Sequence, residues 1–236
     1  MPRVIIFDTE TTGLSPDEGH RLVELGAIEM IDGAMTGANF HVYVNPERDM
    51  PDEAYRIHKI SEEMLRDKPI FSDPSVGPAF AEFVQGAELV AHNAPFDMRF
   101  INWEMENAGL PRLKNRVTDT VPMARKMFPG SPASLDALCS RFGISKEERE
   151  AKGHGALLDS ELLARVYVEL TGGAQAGLSF AAASDPRGGS SSKALPARQR
   201  PKPLASLVTD EERAAHRAFV EELGTPLWLK DLGGAA

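Results

Sequence analysis

The stretch Val4-Ile-Ile-Phe7-Asp8-Thr-Glu10-Thr-Thr-Gly13 decides the reading of this chain. Four β-branched or aromatic apolar residues in a row have the composition of a buried strand. The run passes without a break into acidic and hydroxyl residues. It ends at a glycine that lets the chain turn away. Side chains alternate along a strand, so Asp8 and Glu10 fall on one face and aim at one spot. Two such carboxylates repel unless a proton or a cation intervenes. Their hard oxygens suit Mg²⁺ or Mn²⁺. Taken alone, the pair equally suits a strand–loop junction where Asp8 caps local amides.

Working outward, Arg21–Asp32 reads as a second strand, Asp32-Gly33 as a turn and Asn39–Val44 as a third strand. Short connections make these an antiparallel meander. Short helices are expected over residues 53–67, around Ile57-His58, and a helix from Pro74 closes at Gly86. Glu88–His92 is a strand. A helix opened by Pro95 carries Phe96, Phe100, Ile101 and Met105 and closes near Gly109. Val117–Asp119 is a brief strand, and helices start near Val121, Ser134 and Ala156. The last has an apolar stripe of Leu158, Leu162, Val166 and Leu170 and stops at Thr171-Gly-Gly173. A meander followed by alternating helices and strands predicts an α/β fold, a mixed central sheet flanked by helices. No internal repeat is visible.

Composition narrows the function classes. The 236 residues are 42% hydrophobic and 26% charged, ordinary for a soluble protein. No run reaches the roughly 18–20 apolar residues of a membrane span, and the N-terminus turns acidic too early for a secretory signal. The single cysteine, Cys139, excludes an internal disulfide and fits a reducing cytoplasm. Within Ser134–Phe142 it reads as a buried structural thiol. Net charge is −9, which opposes broad electrostatic binding of nucleic acid. Bound divalent ions or a tethering partner would answer that objection. The charge is uneven: residues 1–173 carry net −10 and residues 174–236 net +1.

Two further clusters matter. Asp97 lies in His92-Asn-Ala-Pro-Phe-Asp97, at a strand-to-helix transition. By itself it suits a helix N-terminus, where the dipole favours a carboxylate. Asp159 falls in the first turn of the last helix, with His154 just before it in a glycine-flanked loop. A helix-borne carboxylate beside a mobile imidazole suits metal binding next to a general base. Each cluster is weak alone; the three in this order are specific.

The pattern Asp-x-Glu, then Asp after His-Asn-x-x-Phe, then His-x₄-Asp resembles the DEDDh branch of the 3′→5′ exonucleases, in the ribonuclease H-like superfamily. The stretches FDTETTGL, VELGAIE, NFHVYVNPER, GAELVAHNAPFD, VTDT, ARKMFPG, SLDALC and HGALLD are similar to the epsilon proofreading subunits of bacterial DNA polymerase III. The likeness covers essentially all of residues 1–173. It implies a ribonuclease H-like α/β domain there, with metal carboxylates at Asp8, Glu10, Asp97 and Asp159 and a general base at His154. These five are the implied catalytic set, working with two divalent ions, Mg²⁺ or Mn²⁺. The branch with tyrosine in place of the base is excluded, because its position is Gly155. Contacts to the terminal nucleotide are implied for Asp8, Glu10, Glu53, His58 and Asp159. Glu53 also suits a helix-start carboxylate and His58 a packed loop side chain. His92 and Phe96 are structural supports of the second motif.

The implied activity is removal of mismatched 3′-terminal nucleotides from a single-stranded or frayed primer end, releasing 5′ monophosphates. After Gly173 the texture changes. Gln175, Leu178 and Phe180, within residues 174–180, resemble a sliding-clamp-binding peptide. Residues 181–207 read as a disordered, flexible linker rich in Ala, Gly, Ser, Pro and basic residues. Thr209 and Glu212 form a capping box that opens a helical segment, residues 208–236, with Trp228 near its end. By the resemblance this segment anchors the polymerase III alpha subunit, and the body leaves room for a small accessory subunit. The expected location is the bacterial cytoplasm, at the replisome, with no membrane contact. Two other readings compete: a free-standing DEDDh exonuclease on RNA or short oligonucleotides, and a non-catalytic scaffold bridging polymerase and clamp.

Overall fold

The computed structural model describes residues 3–172 and 208–222. The clamp-type peptide at Gln175, Leu178 and Phe180, the linker and Trp228 lie outside the described residues. Chain contacts divide into two units, Met1–Ser179 and Phe180–Ala236.

The first unit holds five strands: β1 (Arg3–Thr11), β2 (Leu22–Ile31), β3 (Ala34–Tyr43), β4 (Glu88–Ala91) and β5 (Val117–Asp119). They form one mixed sheet in the order β3-β2-β1-β4-β5. The first three are the antiparallel meander, with Asp8 opposite Gly26 and Glu10 opposite Glu24. β4 then joins β1 in parallel, Ile6 against Val90, and β5 joins β4 in parallel. The register of β1 shifts between Glu10 and Thr11, which ends its regular pairing just past the acidic pair.

Among the described residues eight α-helices accompany the sheet: α1 (Asp52–His58), α2 (Glu62–Leu65), α3 (Gly77–Phe83), α4 (Ala94–Asn107), α5 (Thr120–Met127), α6 (Leu135–Phe142), α7 (Glu147–Lys152) and α8 (Ala156–Leu170). The alternation along β1 sorts them into two layers. Ile5 and Phe7 pack with Phe80 and Val84 of the α3 segment and with Ile101 and Met105 of α4. Val4 and Ile6 pack on the other face with Ala124 of α5, Leu138 and Cys139 of α6 and Leu162, Leu163 and Val166 of α8. Cys139 is buried, as expected, and burial pushes its thiol up. A buried Leu, Ile or Phe contributes about 1.5–3 kcal/mol, so these two layers hold the sheet between them.

Some boundaries differ from expectation. α3 begins at Gly77, because Asp73–Val76 form a turn in which Val76 N–H donates to the Asp73 carbonyl. β3 starts five residues early, at Ala34, because pairing with Ile31 and Met30 supplies ladder bonds that its sequence does not announce. Leu158 is not part of the buried stripe of α8. Asp159 and Ser160 turn inward, so Leu158, about 100° round the helix, faces the cleft beside His154.

α8 reaches the sheet at Gly26. A Cβ there would collide with Leu157 N and the Ala156 carbonyl carbon, so only glycine permits this approach. In the second unit, α9 (Asp210–Glu222) opens on the expected capping box. Glu212 N–H donates to Thr209 Oγ1, and Thr209 N–H donates to the Glu212 carboxylate.

Candidate active site

Even-numbered residues of β1 face the α8 layer, so Asp8 and Glu10 emerge on that side near the strand's C-terminal end. Crevices at the carboxyl ends of parallel strands are the usual ligand sites of such sheets. β4 ends beside β1, and the chain then turns through Asn93 at φ 70 into α4. Asn93 N–H donates to Asp119 Oδ1, which ties that turn to the end of β5. Asp97 falls in the first turn of α4 and is buried, where the Thr9 hydroxyl donates a 2.7 Å hydrogen bond to its Oδ1.

α8 delivers the third motif. Asp159, also buried, sits in its first turn. The helix start is held by Glu24 of β2, whose Oε2 accepts the Ala156 N–H at 3.0 Å while its Oε1 lies 2.7 Å from His41 Nε2. His154 precedes the helix in a loop, half exposed, with Nδ1 3.5 Å from Asp159 Oδ2. Ligand atoms of Glu10, His154 and Asp159 lie within 4.8 Å of one another.

Crowding of carboxylates shapes their protonation. Burial pushes Glu10 up to about 8, reinforced by the charges of Asp159 and Glu24. Burial pushes Asp97 up to about 7, against the opposing hydrogen bond from Thr9. Asp8 is held well above the usual carboxylate range by burial, then by Asp97, Glu10 and Asp159.

This donor set fits a divalent cation. Four hard carboxylates converge where their own charges repel. Asp159 Oδ1 is buried without a hydrogen bond of normal geometry. That oxygen meets only a guanidinium, Arg149 Nε at 2.6 Å and out of line, so it stays open to a better-placed cation. Asp8, Glu10, Asp97 and Asp159 are therefore the residues that could hold Mg²⁺ or Mn²⁺.

Not all expected residues meet. His58 is buried and lines one cavity of about 400 Å³ with His154, Glu24 and Tyr43. Its Nδ1 accepts the Ile60 N–H, and its buried Nε2 has no hydrogen-bond partner among the described residues. Glu53 sits exposed in the first turn of α1, and no described contact joins it to the carboxylates. His92 and Phe96 are supports: His92 Nδ1 meets Thr120 Oγ1 at 2.8 Å, and Phe96 packs on Phe100.

Sequence reasoning missed Arg149, on α7. Its Nε lies 2.6 Å from Asp159 Oδ1, one Nη donates at 2.8 Å to both Asp159 Oδ2 and His154 Nδ1, and the other Nη lies 2.6 Å from Asp136 Oδ1. The only sequence signal was a basic residue inside Lys146-Glu-Glu-Arg-Glu-Ala-Lys152, a charged run that resembles a solvated face. Sequence reasoning also missed Glu24, inside the second strand, and Thr9, at the strand end between the two carboxylates.

Residues 5–167 match the exonuclease family RNase_T. The chain belongs to the exonuclease family. The match takes in all of the sheet but the first two residues of β1, and it includes Asp8, Glu10, Asp97, His154 and Asp159. Over 225 residues this exonuclease is 45% identical to the DNA polymerase III subunit epsilon of Rickettsia felis, covering 94% of this chain and 96% of that one. It is 41% identical to the Escherichia coli protein of the same name over 242 residues, covering 97% and 98%. Among solved structures, Exonuclease X in complex with 5′ overhanging duplex DNA aligns with TM-score 0.55 at 29% identity, over 72% of this chain and 91% of that one. The exonuclease thus belongs among the epsilon-type proteins. Among its described residues no helix is long and apolar enough to cross a membrane.

Proposed function

We propose that this exonuclease proofreads for a bacterial replicative polymerase III, removing mismatched 3′-terminal nucleotides from DNA as 5′ monophosphates. The observation that carries the reading is the meeting of Asp8, Glu10, Asp97 and Asp159 with His154 at the carboxyl ends of β1 and β4. Two divalent ions, Mg²⁺ or Mn²⁺, held by the four carboxylates would supply Lewis acidity toward water and the leaving 3′ oxygen. His154 takes the proton of the attacking water through a ring nitrogen. Its half-exposed loop position leaves the imidazole in reach of that water. His58 borders the cavity beside His154 and would position the terminal nucleotide. Glu53, in the exposed first turn of α1, would contact the same nucleotide.

The domain layout follows the same reading. Residues 1–173 are the nuclease, 174–180 meet a sliding clamp through Gln175, Leu178 and Phe180, 181–207 are a linker and 208–236 anchor the polymerase alpha subunit. The name shared by the curated relatives supports the polymerase assignment, and the capping box supports a helix at the start of the anchoring segment. Tethering raises the effective concentration of nuclease at the primer end, so an acidic body needs little affinity of its own.

The test uses 5′-labelled single-stranded DNA with Mg²⁺, with EDTA, and with Asp8→Ala. The expected result is a ladder shortening one nucleotide at a time from the 3′ end, lost with EDTA and in the variant. Wild-type-like cleavage by Asp8→Ala would overturn the ligand assignment.

A further inference from the structure

Arg149 stands within the constellation that the proposed mechanism uses, and that mechanism gives it no task. Its side chain is 10% exposed and Asp159's is 5%, so the pair is withdrawn from water. One guanidinium spans three partners: Asp159, His154 Nδ1 and Asp136.

Donor chemistry limits what this arrangement can do. A guanidinium only donates and does not lose its proton in proteins. His154 Nδ1 must therefore be the acceptor of the 2.8 Å contact, with its lone pair engaged. That lone pair cannot take a proton from water while Arg149 holds it. The carboxylate of Asp159 is likewise taken at both oxygens, but unevenly. Nη donates to Oδ2 in normal geometry, whereas Nε lies 2.6 Å from Oδ1 and out of line. Both Nε and Oδ1 are consequently buried without a normal hydrogen bond. The guanidinium is thus an imperfect partner, a single diffuse charge where four carboxylates meet.

The arm that carries Arg149 is bounded by glycines. α7 lies between Gly143 at φ 69 and Gly153 at φ 87, conformations that glycine adopts freely. Asp136 on α6, half exposed, already holds the second Nη and offers a home for the guanidinium once Asp159 is released.

Resting on the reading that the four carboxylates bind divalent ions, we infer that Arg149 is a resident cation of the site, a positioning residue that competes with the ion for Asp159. While engaged it also occupies the His154 lone pair, so the base and the metal ligand are released together. Ion entry and activation of the base become one event. A nuclease tethered beside intact primer ends then has its hydrolytic groups paired until ions displace the arginine.

The test is Mn²⁺ binding to the full chain without DNA, read from the EPR signal of free Mn²⁺ at one pH. Wild type, Arg149→Gln, Arg149→Lys and Asp8→Ala are compared, with thermal unfolding to confirm the fold. Removing a buried competing ion pair should tighten Mn²⁺ binding about tenfold in Arg149→Gln, with Arg149→Lys in between because an ammonium lacks the planar fork. A merely structural arginine would loosen binding when lost. Unchanged or weaker binding in Arg149→Gln overturns the inference; if that variant does not fold, the same outcome in Arg149→Lys does so. If neither wild type nor any variant binds Mn²⁺, the metal reading itself fails. Binding that is normal in wild type and lost in Asp8→Ala keeps that reading, whatever Arg149 does.

Discussion

The Thr9 hydroxyl donates to Asp97 Oδ1 at 2.7 Å, so one strand presents two carboxylates of the proposed metal site on one face and orients a third from the other. The bond also opposes the upward push of burial on Asp97. Thr9→Val keeps the shape and removes the donor. Loss of a hydrogen bond to a buried charged group costs about 1–3 kcal/mol. The variant should need more Mg²⁺ for half-maximal cleavage while its circular dichroism stays native. An unchanged Mg²⁺ requirement would show that Thr9 does not orient Asp97.

Metal-free protein should lose stability as pH rises. Glu10 and Asp97 have folded-state values of about 8 and about 7, raised from 4.5 and 3.8. A carboxyl group with a raised folded value binds its proton more tightly when folded. Its stabilising contribution is complete below the unfolded range and is lost as pH climbs through the folded value. The window is therefore about pH 4 to 8. Melting in EDTA should fall across it, and Glu10→Gln should flatten the fall. Mg²⁺ should restore more stability at pH 8 than at pH 6, since protonated carboxyls must release protons to bind it. A flat EDTA melting profile would count against the buried, protonated cluster.

Gly26→Ala should damage the site from a distance. The added Cβ runs into the backbone of Ala156 and Leu157, which lie between His154 and Asp159. Overpacking of this kind costs about 1–3 kcal/mol. Urea unfolding should show that loss, and kcat should fall with it because α8 must lift away from β2. Full activity in a destabilised variant would separate the helix docking from the chemistry.

His154→Gln isolates the base. General-base groups contribute typically about 10²–10⁴-fold. The variant should lose kcat by that order, keep its fold and still bind Mn²⁺ through the four carboxylates. Loss of Mn²⁺ binding instead would make His154 chiefly a ligand.

Much of this arrangement was legible in the chain. The period of two placed Asp8 and Glu10 together, because strand geometry is local. The meander followed from short connections, and the helix starts followed from Pro95, Ser134 and Thr209, whose capping roles need only neighbouring residues. α7 escaped notice because Glu147–Lys152 lacks an apolar stripe, the one signal that marks a short helix. Leu158 was assigned to the core because spacing defines a stripe without saying which way it is turned.

The sequence by itself determined the alternation along β1, the order of the acidic motifs and the caps that start α6 and α9. These depend on residues a few positions apart, within reach of backbone geometry. The tertiary structure alone decided that Glu24 holds the start of α8, that Thr9 orients Asp97 and that Arg149 pairs with Asp159 and His154. Glu24 and Ala156 are 132 positions apart, and Thr9 and Asp97 are 88 apart. Their meeting depends on β4 inserting beside β1 and on α8 settling against Gly26. Packing of the two apolar layers supplies the free energy for both, and no local pattern encodes it.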